Sequence, residues 1–440
     1  MDSSIATFRP RSFRLVSPVT IPAFTGVRLR PPSAPACADV ERLAQAKVMG
    51  SPSLRALPAG ARVAVAVGSR GIDRLPLLVR GCITALRGMG LRPFIVPAMG
   101  SHGGADAEGQ RMLLRHLGVT EESTGAPVVS SLETVDLGCA APGVACHISR
   151  DAFEADAIVT VVRVKAHTNF TSDIESGLCK MLTVGLGKDL GAKNAHIFGR
   201  RGLVDHIPLL AEHIIAHAPV AFGLAVVENA ESRICLVEGV EAADMPRADR
   251  ELLVRAKELK AVLPFEQLDM LGVMESGKDI SGTGMDSKVV GRTGFGEPYG
   301  HPFINTIAAL RVTAASGGNG IGIGIADVTT TETLNGLDLE AMWINALTSC
   351  CMDRVKLPPA FASEREAIQA GLKICWQPRT ERVRAAVIRS TRHLGHLLLT
   401  RPLLEELRTT RPDMLDGIWQ EERPLAFDST GHLDISWPGA

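Results

Sequence analysis

The sequence lacks the features that direct a chain to a membrane or to a secretory route. Its first residues, MDSSIATFRPRSF, contain no apolar signal-peptide core, and no apolar run approaches the length of a membrane span. The 9 cysteines form no CxxC pair, and Cys350 and Cys351 are adjacent, which fits neither a disulfide framework nor a zinc finger. We therefore expect a cytoplasmic protein in a reducing compartment, with no membrane partner.

An excess of charge of either sign is also missing. Lys and Arg number 47 against 48 Asp and Glu, which gives a formal net charge of −1. Recruitment of nucleic acid or of an anionic membrane through the overall electric field needs a basic excess, so we expect neither partner. Apolar residues make up 45% and charged residues 22% of the 440 residues, which is ordinary for a globular protein but long for one hydrophobic core. Two domains are therefore expected.

The common glycine motifs of nucleotide sites are absent as well. There is no GxxxxGK[ST] loop, and GGNGIGIGI at 317–325 lacks the GxGxxG spacing and precedes an apolar strand instead of opening a helix. GSHGG at 100–104 is different, because it follows a predicted strand and leads into a helix whose first N–H groups can hold an anion. For this loop, anion binding and a plain turn remain equally open.

Strand and helix patterns alternate along the chain after an irregular arm of about forty residues. RVAVAVG, RPFIVPAM and ADAIVTVVRV predict strands, LPLLVRGCITALRGMG and ADAEGQRMLLRHLG predict helices, and AFGLAVVEN with SRICLVEGV predicts a strand pair. A second series begins near Pro264, with predicted strands in LDMLGVMESG, GIGIGIADVTT, VRAAVIRST and HLDISWP and helices between them. The alternation predicts an α/β fold with mostly parallel, twisted sheets flanked by helices.

The domain prediction follows from these two series. We assign residues 1–265 to a first domain and residues 266–440 to a second, and the tail from about residue 415 could pack back on the first domain. An active-site crevice between the two domains is expected.

Three loops with reactive side chains follow predicted strands: GSRG at 68–71, GSHGG at 100–104 and KAHTNF at 165–170. In parallel α/β sheets, ligands bind where loops leave the carboxyl ends of the strands. His102 and His167 would each be read alone as structural histidines. At the ends of two strands of one sheet, they could instead face each other across a crevice, as two-base proton or hydride chemistry requires.

The stretch that follows contains two further candidates. Lys180, in SGLCK, comes after a turn of small residues, and a desolvated lysine amine can form a covalent link to a cofactor. Cys179 has no obvious base in register, so we interpret it as a packing residue. His196 is weak evidence for a metal site unless a cofactor supplies the remaining ligands.

The order of His102, His167, Lys180 and His196, with SG two residues before the lysine, resembles the nickel-dependent lactate racemase family. That family uses a nickel-pincer nucleotide, a pyridinium mononucleotide that bears two sulfur donors and a carbon–nickel bond. The resemblance implies that His102 and His167 are paired acid/bases and that Lys180 carries the cofactor through a thioamide. It further implies that His196 completes the nickel coordination.

The resemblance extends to both sides of this stretch. Ser69 and Arg70 stand where the family has a Thr-Arg pair near cofactor and substrate, and SGKDISGTGMD at 276–286 is typical of racemase relatives. In NTIAALR, Ala308 and Arg311 replace a glutamine and a substrate-anchoring lysine, and the loop from His167 to Lys180 is a few residues longer than in the lactate enzyme. The implied roles are cofactor binding for Ser69 and Arg70 and carboxylate binding for Arg70 and Arg311. The space beside Ala308 suggests a substrate larger than lactate.

The implied function is a racemase or epimerase of a 2-hydroxy acid that works by proton-coupled hydride transfer from the substrate Cα to the cofactor ring. Two alternatives stay open: a sugar-acid 2-epimerase with a gluconate-like substrate, and a non-catalytic nucleotide- or metal-binding relative. The expected partners are the small-molecule substrate and, transiently, the proteins that synthesise the cofactor. The sequence is also compatible with a homo-oligomer.

Overall fold

The chain, seen in a computed structural model, folds into two units. The structure describes residues 7–32, 34–168, 170–295 and 300–439. The central unit runs from Pro32 to Lys260, and the terminal unit contains the chain up to Pro31 together with the chain from Ala261 onward. No helix within the described residues has both the length and the apolar character needed to span a bilayer.

The strands in chain order are β1 (Phe24–Leu29), β2 (Arg62–Val67), β3 (Arg92–Pro97), β4 (Thr134–Ala141), β5 (Val144–Ser149), β6 (Ala157–Arg163), β7 (Val220–Glu228), β8 (Ile234–Glu241), β9 (Gln267–Ser276), β10 (Phe303–Val312), β11 (Thr329–Thr330), β12 (Ala360–Phe361), β13 (Ala385–Ser390), β14 (His393–Leu399) and β15 (Leu415–Arg423).

The α-helices are α1 (Val40–Met49), α2 (Pro52–Arg55), α3 (Leu75–Gly88), α4 (Ala107–His116), α5 (Glu121–Thr124), α6 (Arg150–Phe153), α7 (Leu178–Lys180), α8 (Lys188–His196), α9 (Gly199–Arg201), α10 (Ile207–His217), α11 (Met245–Glu258), α12 (Ser287–Val290), α13 (Thr331–Asn335), α14 (Leu339–Ser349), α15 (Glu364–Ile374) and α16 (Arg401–Thr410). Turns of π-helix continue α7 over Met181–Gly185 and precede α10 over Gly202–His206.

The central unit is built on a five-stranded sheet in the order β3-β2-β6-β7-β8, and only β8 runs antiparallel to its neighbour. Alternate residues of β2 point to opposite faces, as expected of a strand covered on both sides. Val63 and Val65 enter a core shared with α1 and α3, whereas Ala64 and Ala66 enter a core shared with α10 and α11. This confirms the predicted α/β class with a mostly parallel sheet between helices.

The terminal unit contains a six-stranded mixed sheet in the order β10-β9-β13-β14-β1-β15. β9, β10 and β13 are parallel, and β14, β1 and β15 follow in antiparallel pairs. One face packs on α14 and α16 and the other on α15, again with two apolar cores.

Four sequence predictions for this unit are wrong. The first residues were predicted as an irregular arm, but they contain β1, which lies between β14 and β15. The segment up to Pro31 therefore belongs with the C-terminal part of the chain and not with a domain of residues 1–265. The tail from about residue 415 likewise belongs to the terminal unit, as β15. GIGIGIADVTT contains a 3-10 turn at Ile323–Ile325 and only the two-residue strand β11, and HLDISWP forms a single β-bridge through Leu433 instead of a strand.

Candidate functional site

The three reactive loops leave the same edge of the central sheet. β2 pairs in parallel with β3 and with β6, and Val67 at its end lies opposite Pro97 and Val161. GSRG, GSHGG and KAHTNF therefore start side by side at the carboxyl ends of adjacent strands, as predicted, although Asn169 lies outside the described residues. This arrangement follows from β-strand register alone, before any side chain is considered.

Ser69 and His102 join the first two loops. The Ser69 hydroxyl and His102 Nδ1 form a hydrogen bond, in which the donor depends on the imidazole tautomer. The sequence predicted a cofactor contact for Ser69, and in the structure its hydroxyl binds the neighbouring candidate acid/base. A hydrogen bond at Nδ1 engages that ring nitrogen and orients the imidazole of His102.

The helix that follows GSHGG already has an acidic side chain at its N-terminus. Asp106 caps α4, and its carboxylate accepts a hydrogen bond of 2.8 Å from the Gly109 N–H. Because a negative side chain already occupies this position, the arrangement favours a turn that supports His102 over a phosphate site.

Phe170 connects His167 with Lys180. Its buried ring lies 4.5 Å from the His167 ring, centroid to centroid, and the Lys180 ammonium lies 5.9 Å from its centroid. His167 is thus positioned by an aromatic wall that also contacts the candidate cofactor lysine.

The loop that carries His167 is anchored by Glu175, which the sequence analysis missed. The side chain of Glu175 is fully buried and accepts hydrogen bonds from the backbone N–H groups of His167, at 2.5 Å, and Ser172, at 3.2 Å. Lys257 neutralises it at 2.7 Å. A buried carboxylate is tolerated because it is paired and hydrogen-bonded, and here those bonds fix the loop backbone.

Lys180 lies in a helix whose first turn is held by another residue that the sequence analysis missed. The buried carboxylate of Asp249, on α11, accepts 2.8 Å hydrogen bonds from the N–H groups of Leu178 and Cys179. Gly177 permits this approach, because a Cβ at that position would lie 2.1 Å from Asp249 Oδ1. The need for glycine at this position of SGLCK is therefore structural, because Gly177 lets the Asp249 carboxylate accept hydrogen bonds from N–H groups that have no partner within the helix.

The electrostatic surroundings of Lys180 favour its neutral form. Desolvation, and then the positive charge of Arg70, lowers the pKa of the half-buried Lys180 amine to about 7, while the charge of Glu175 acts in the opposite direction. Burial and the charge of Asp249 instead raise the pKa of Cys179, whose side chain is fully buried. An amine near its pKa at neutral pH is a nucleophile, and a buried neutral thiol is not. The contrast agrees with a packing role for Cys179.

Arg70 carries a further positive charge next to Lys180. Desolvation and the neighbouring charge of Arg163 lower its pKa. Arg163 is paired with Glu228, whereas the part of the chain that the structure describes gives Arg70 no carboxylate within ion-pair distance. An exposed guanidinium without a partner carboxylate in the described chain is suited to an anionic ligand.

One ring nitrogen of His196 forms a hydrogen bond, and the charge of Lys180 affects the pKa of His196. Its Nδ1 donates to the Ala192 carbonyl oxygen at 2.7 Å, four residues earlier in α8. Burial lowers the pKa of His196, the Ala192 hydrogen bond raises it, and the charge of Lys180 lowers it further. A neutral imidazole protonated at Nδ1 has its lone pair at Nε2, the arrangement that metal-binding histidines adopt.

The described residues contain no group of three or more His, Cys, Asp or Glu side chains arranged to hold a metal ion. A metal bound at His196 would therefore take most of its ligands from another molecule. This donor set fits a cofactor that brings its own sulfur and carbon ligands.

Arg311 and Ala308 lie on β10 of the terminal unit. The Arg311 guanidinium pairs with the buried Glu364 carboxylate and donates to the Leu433 carbonyl oxygen at 3.0 Å. Ala308 is fully buried in an apolar core with Met270 and Phe361. A larger residue at position 308 would add volume to that core, so the idea that Ala308 leaves space for a larger substrate is wrong.

Comparison with known proteins supports the fold. No family model matches the sequence, and no curated protein matches it. Among solved structures, the fold is similar to that of the lactate racemase apoprotein from Thermoanaerobacterium thermosaccharolyticum, with a TM-score of 0.53 and 14% sequence identity. The match covers 84% of this chain and 94% of the other. At this identity, the likeness establishes a common fold.

Proposed function

We propose that the protein is a racemase or epimerase of a 2-hydroxy acid that uses a nickel-pincer nucleotide bound at Lys180 and His196. One observation carries the proposal. A lysine amine with a pKa of about 7 is electrostatically coupled to a histidine whose Nδ1 is already engaged, in the unit whose sheet edge also carries His102 and His167. The fold shared with a lactate racemase apoprotein supports it further.

The residues fit the cofactor that the sequence resemblance implies. The neutral Lys180 amine could condense with a thiocarboxylate of the cofactor, which loses its carbonyl oxygen as water, to give a thioamide. His196 Nε2 would offer a protein ligand to a metal that takes its other donors from the cofactor. When bound, this group supplies a reversible acceptor for the hydride on the substrate Cα.

His102 and His167 would handle the hydroxyl proton. In one direction, one imidazole accepts the proton of the substrate hydroxyl. The other imidazole returns a proton after the planar keto acid has reoriented to present its opposite face. The Ser69 hydrogen bond engages Nδ1 of His102, and Nε2 would exchange the substrate proton. For His167, the Phe170 ring fixes the plane of the imidazole.

Arg70 is the residue that we propose to hold the substrate carboxylate. It has no carboxylate partner in the described chain, and its charge is the second cause of the lowered pKa of Lys180. Arg311 stays a prediction as a second anchor, and a substrate would have to compete with Glu364 for its guanidinium. Ala308 lies in an apolar core and gives no support to a substrate larger than lactate.

The proposal is tested by racemisation of single enantiomers. Cofactor-loaded protein is incubated with short and polyhydroxylated 2-hydroxy acids, and the products are separated by chiral chromatography. His102→Ala and His167→Ala should each lose at least about a hundredfold in rate from both enantiomers, since each direction needs one base and one acid. His116→Ala, an exposed histidine on α4, is the matched control. Near-normal rates in either site variant would exclude that histidine from the reaction.

A further inference from the structure

Lys188 is an unusual residue for its position. Its side chain is fully buried, and its backbone lies in the left-handed region with φ 55°, at the break between the helical turns that carry Lys180 and helix α8. Burial lowers the pKa of Lys188 to about 8. A lysine is rarely placed in a core unless its hydrogen bonds serve a purpose.

The ammonium of Lys188 reaches toward the loop that carries His102. It donates 2.7 Å to the Pro97 carbonyl oxygen and 3.3 Å to the side-chain oxygen of Gln110. Gln110 is fully buried on α4, and its side-chain nitrogen donates 2.8 Å to the Gly100 carbonyl oxygen and 3.3 Å to that of His102.

The chemistry of these groups forces one orientation. An ammonium can only donate hydrogen bonds, so only the oxygen of the Gln110 amide can face Lys188. The amide nitrogen must then face the opposite side, where the carbonyl groups of Gly100 and His102 need donors. Lys188 thereby decides which end of Gln110 contacts the loop.

We propose that Lys188 is a positioning residue for His102, which it holds in place through Gln110. Its ammonium donates hydrogen bonds to Gln110 and to the backbone at the end of β3, and Gln110 in turn contacts the loop that carries His102. The contribution to catalysis rests on the proposed function, whereas the effect on the loop does not.

The Gln110→Glu variant distinguishes a positioning role of Lys188 from a role in which Lys188 only fills the core. Gln110→Glu keeps the size of the side chain and strengthens its attraction to Lys188, so a lysine that only needs a partner would be satisfied. The carboxylate has no proton to donate, however, and the carbonyl oxygens of Gly100 and His102 would face it unpaired. Lys188→Met makes the complementary change by letting the Gln110 amide turn.

The test is hydrogen exchange of cofactor-free protein at residues 100–105. The N–H groups of Gly100, His102 and Ala105 donate to Gly185, Met99 and Ser101, respectively, so their exchange reports on the loop. Gln110→Glu and Lys188→Met should each speed exchange there by roughly tenfold or more, as expected when one or two buried hydrogen bonds are lost, with strand β2 unchanged. Lys193→Met, an exposed lysine on the same helix α8, should leave the loop unchanged.

Wild-type exchange of the loop in Gln110→Glu would overturn the proposal, and so would an equal acceleration throughout β2. In loaded enzyme, the same variants should lower kcat more than they raise KM, because a displaced base affects the reacting complex more than binding. Loss of loop protection in a protein that racemises nothing would refute the proposed function and leave the positioning role intact.

Discussion

At the scale of single residues, two lysines of the same stretch, Lys180 and Lys188, serve different purposes. Lys188 is fully buried, and its ammonium donates hydrogen bonds to Pro97 and Gln110. Lys180 is half-buried, and the positive charge of Arg70 disfavours the charged form of its amine. Both surroundings lower the pKa, but only Lys180 combines a neutral amine with access to another molecule. Its reactivity is therefore a measurable consequence of the site.

Trace acetylation of the protein should label Lys180 with a rate that rises through half its maximum at about pH 7, because only the neutral amine reacts. Peptide mass spectrometry across a pH series gives this profile. Arg70→Met removes a positive neighbour and should move the midpoint to higher pH, whereas the exposed Arg115→Met should not. A Lys180 profile that still rises near pH 10, as for an ordinary lysine, would contradict the described surroundings.

Sequence reasoning reached the candidate residues of the site but not the residues that hold them. Ser69, His102 and His167 could be found because each follows a strand, and parallel strands bring such positions together. Gln110, Glu175 and Asp249 act from inside helices or loops on backbone groups that no sequence pattern marks, and Asp249 lies 71 positions from the N–H group of Leu178 that it binds. Only the tertiary fold creates the contact of Asp249.

At the scale of elements, the helix that carries Lys180 depends on a fit between Gly177 and Asp249. Close backbone contacts at glycines also explain why the predicted strand in GIGIGIADVTT is absent. GIGIGIADVTT alternates like a strand, yet Gly322 has φ 99° and a Cβ at Gly324 would lie 2.2 Å from the Asp353 carbonyl oxygen. Those glycines allow close backbone contact and a tight path, which the apolar alternation does not indicate.

Gly177→Ala should destabilise the protein by roughly 1–3 kcal/mol, because the new Cβ displaces the Asp249 carboxylate from two helix N–H groups. Urea denaturation measures the change. Gly88→Ala, at the exposed end of α3 with no atom within 4 Å of the added Cβ, should be neutral or slightly stabilising.

Asp249→Ala should cost a similar amount, and the double variant with Gly177→Ala should cost little more than either alone, since both changes remove the same hydrogen bonds. Strictly additive losses would show that the glycine and the aspartate act independently.

At the scale of the whole molecule, the chain forms two units that are not consecutive in sequence. β1 completes the terminal sheet between β14 and β15, and its residues Phe24 and Val27 are buried in the two cores of that unit. The strand was missed because the segment around FTGVRL is short and lies between proline-rich stretches. A fragment of residues 32–260 contains all the contacts of the central unit and should fold alone.

Deletion of residues 1–31 should destabilise the terminal unit selectively, because it leaves β14 and β15 without their shared neighbour. Hydrogen exchange of the truncated protein should show β15 deprotected and β2 unchanged, and addition of a peptide of residues 7–31 should restore protection. If β15 remains protected without β1, the sheet order described here is wrong.

The central claim, that Lys180 and His196 hold a nickel-pincer nucleotide, is tested most directly by mass spectrometry of protein co-expressed with the cofactor-synthesis proteins. The account predicts a covalent adduct on the peptide that contains Lys180 and one nickel in the native protein. The adduct should be lost in Lys180→Ala and retained in Lys193→Ala, and nickel binding should be weakened in His196→Ala. A full covalent complement in Lys180→Ala, or unmodified Lys180 in a preparation that racemises 2-hydroxy acids, would contradict it.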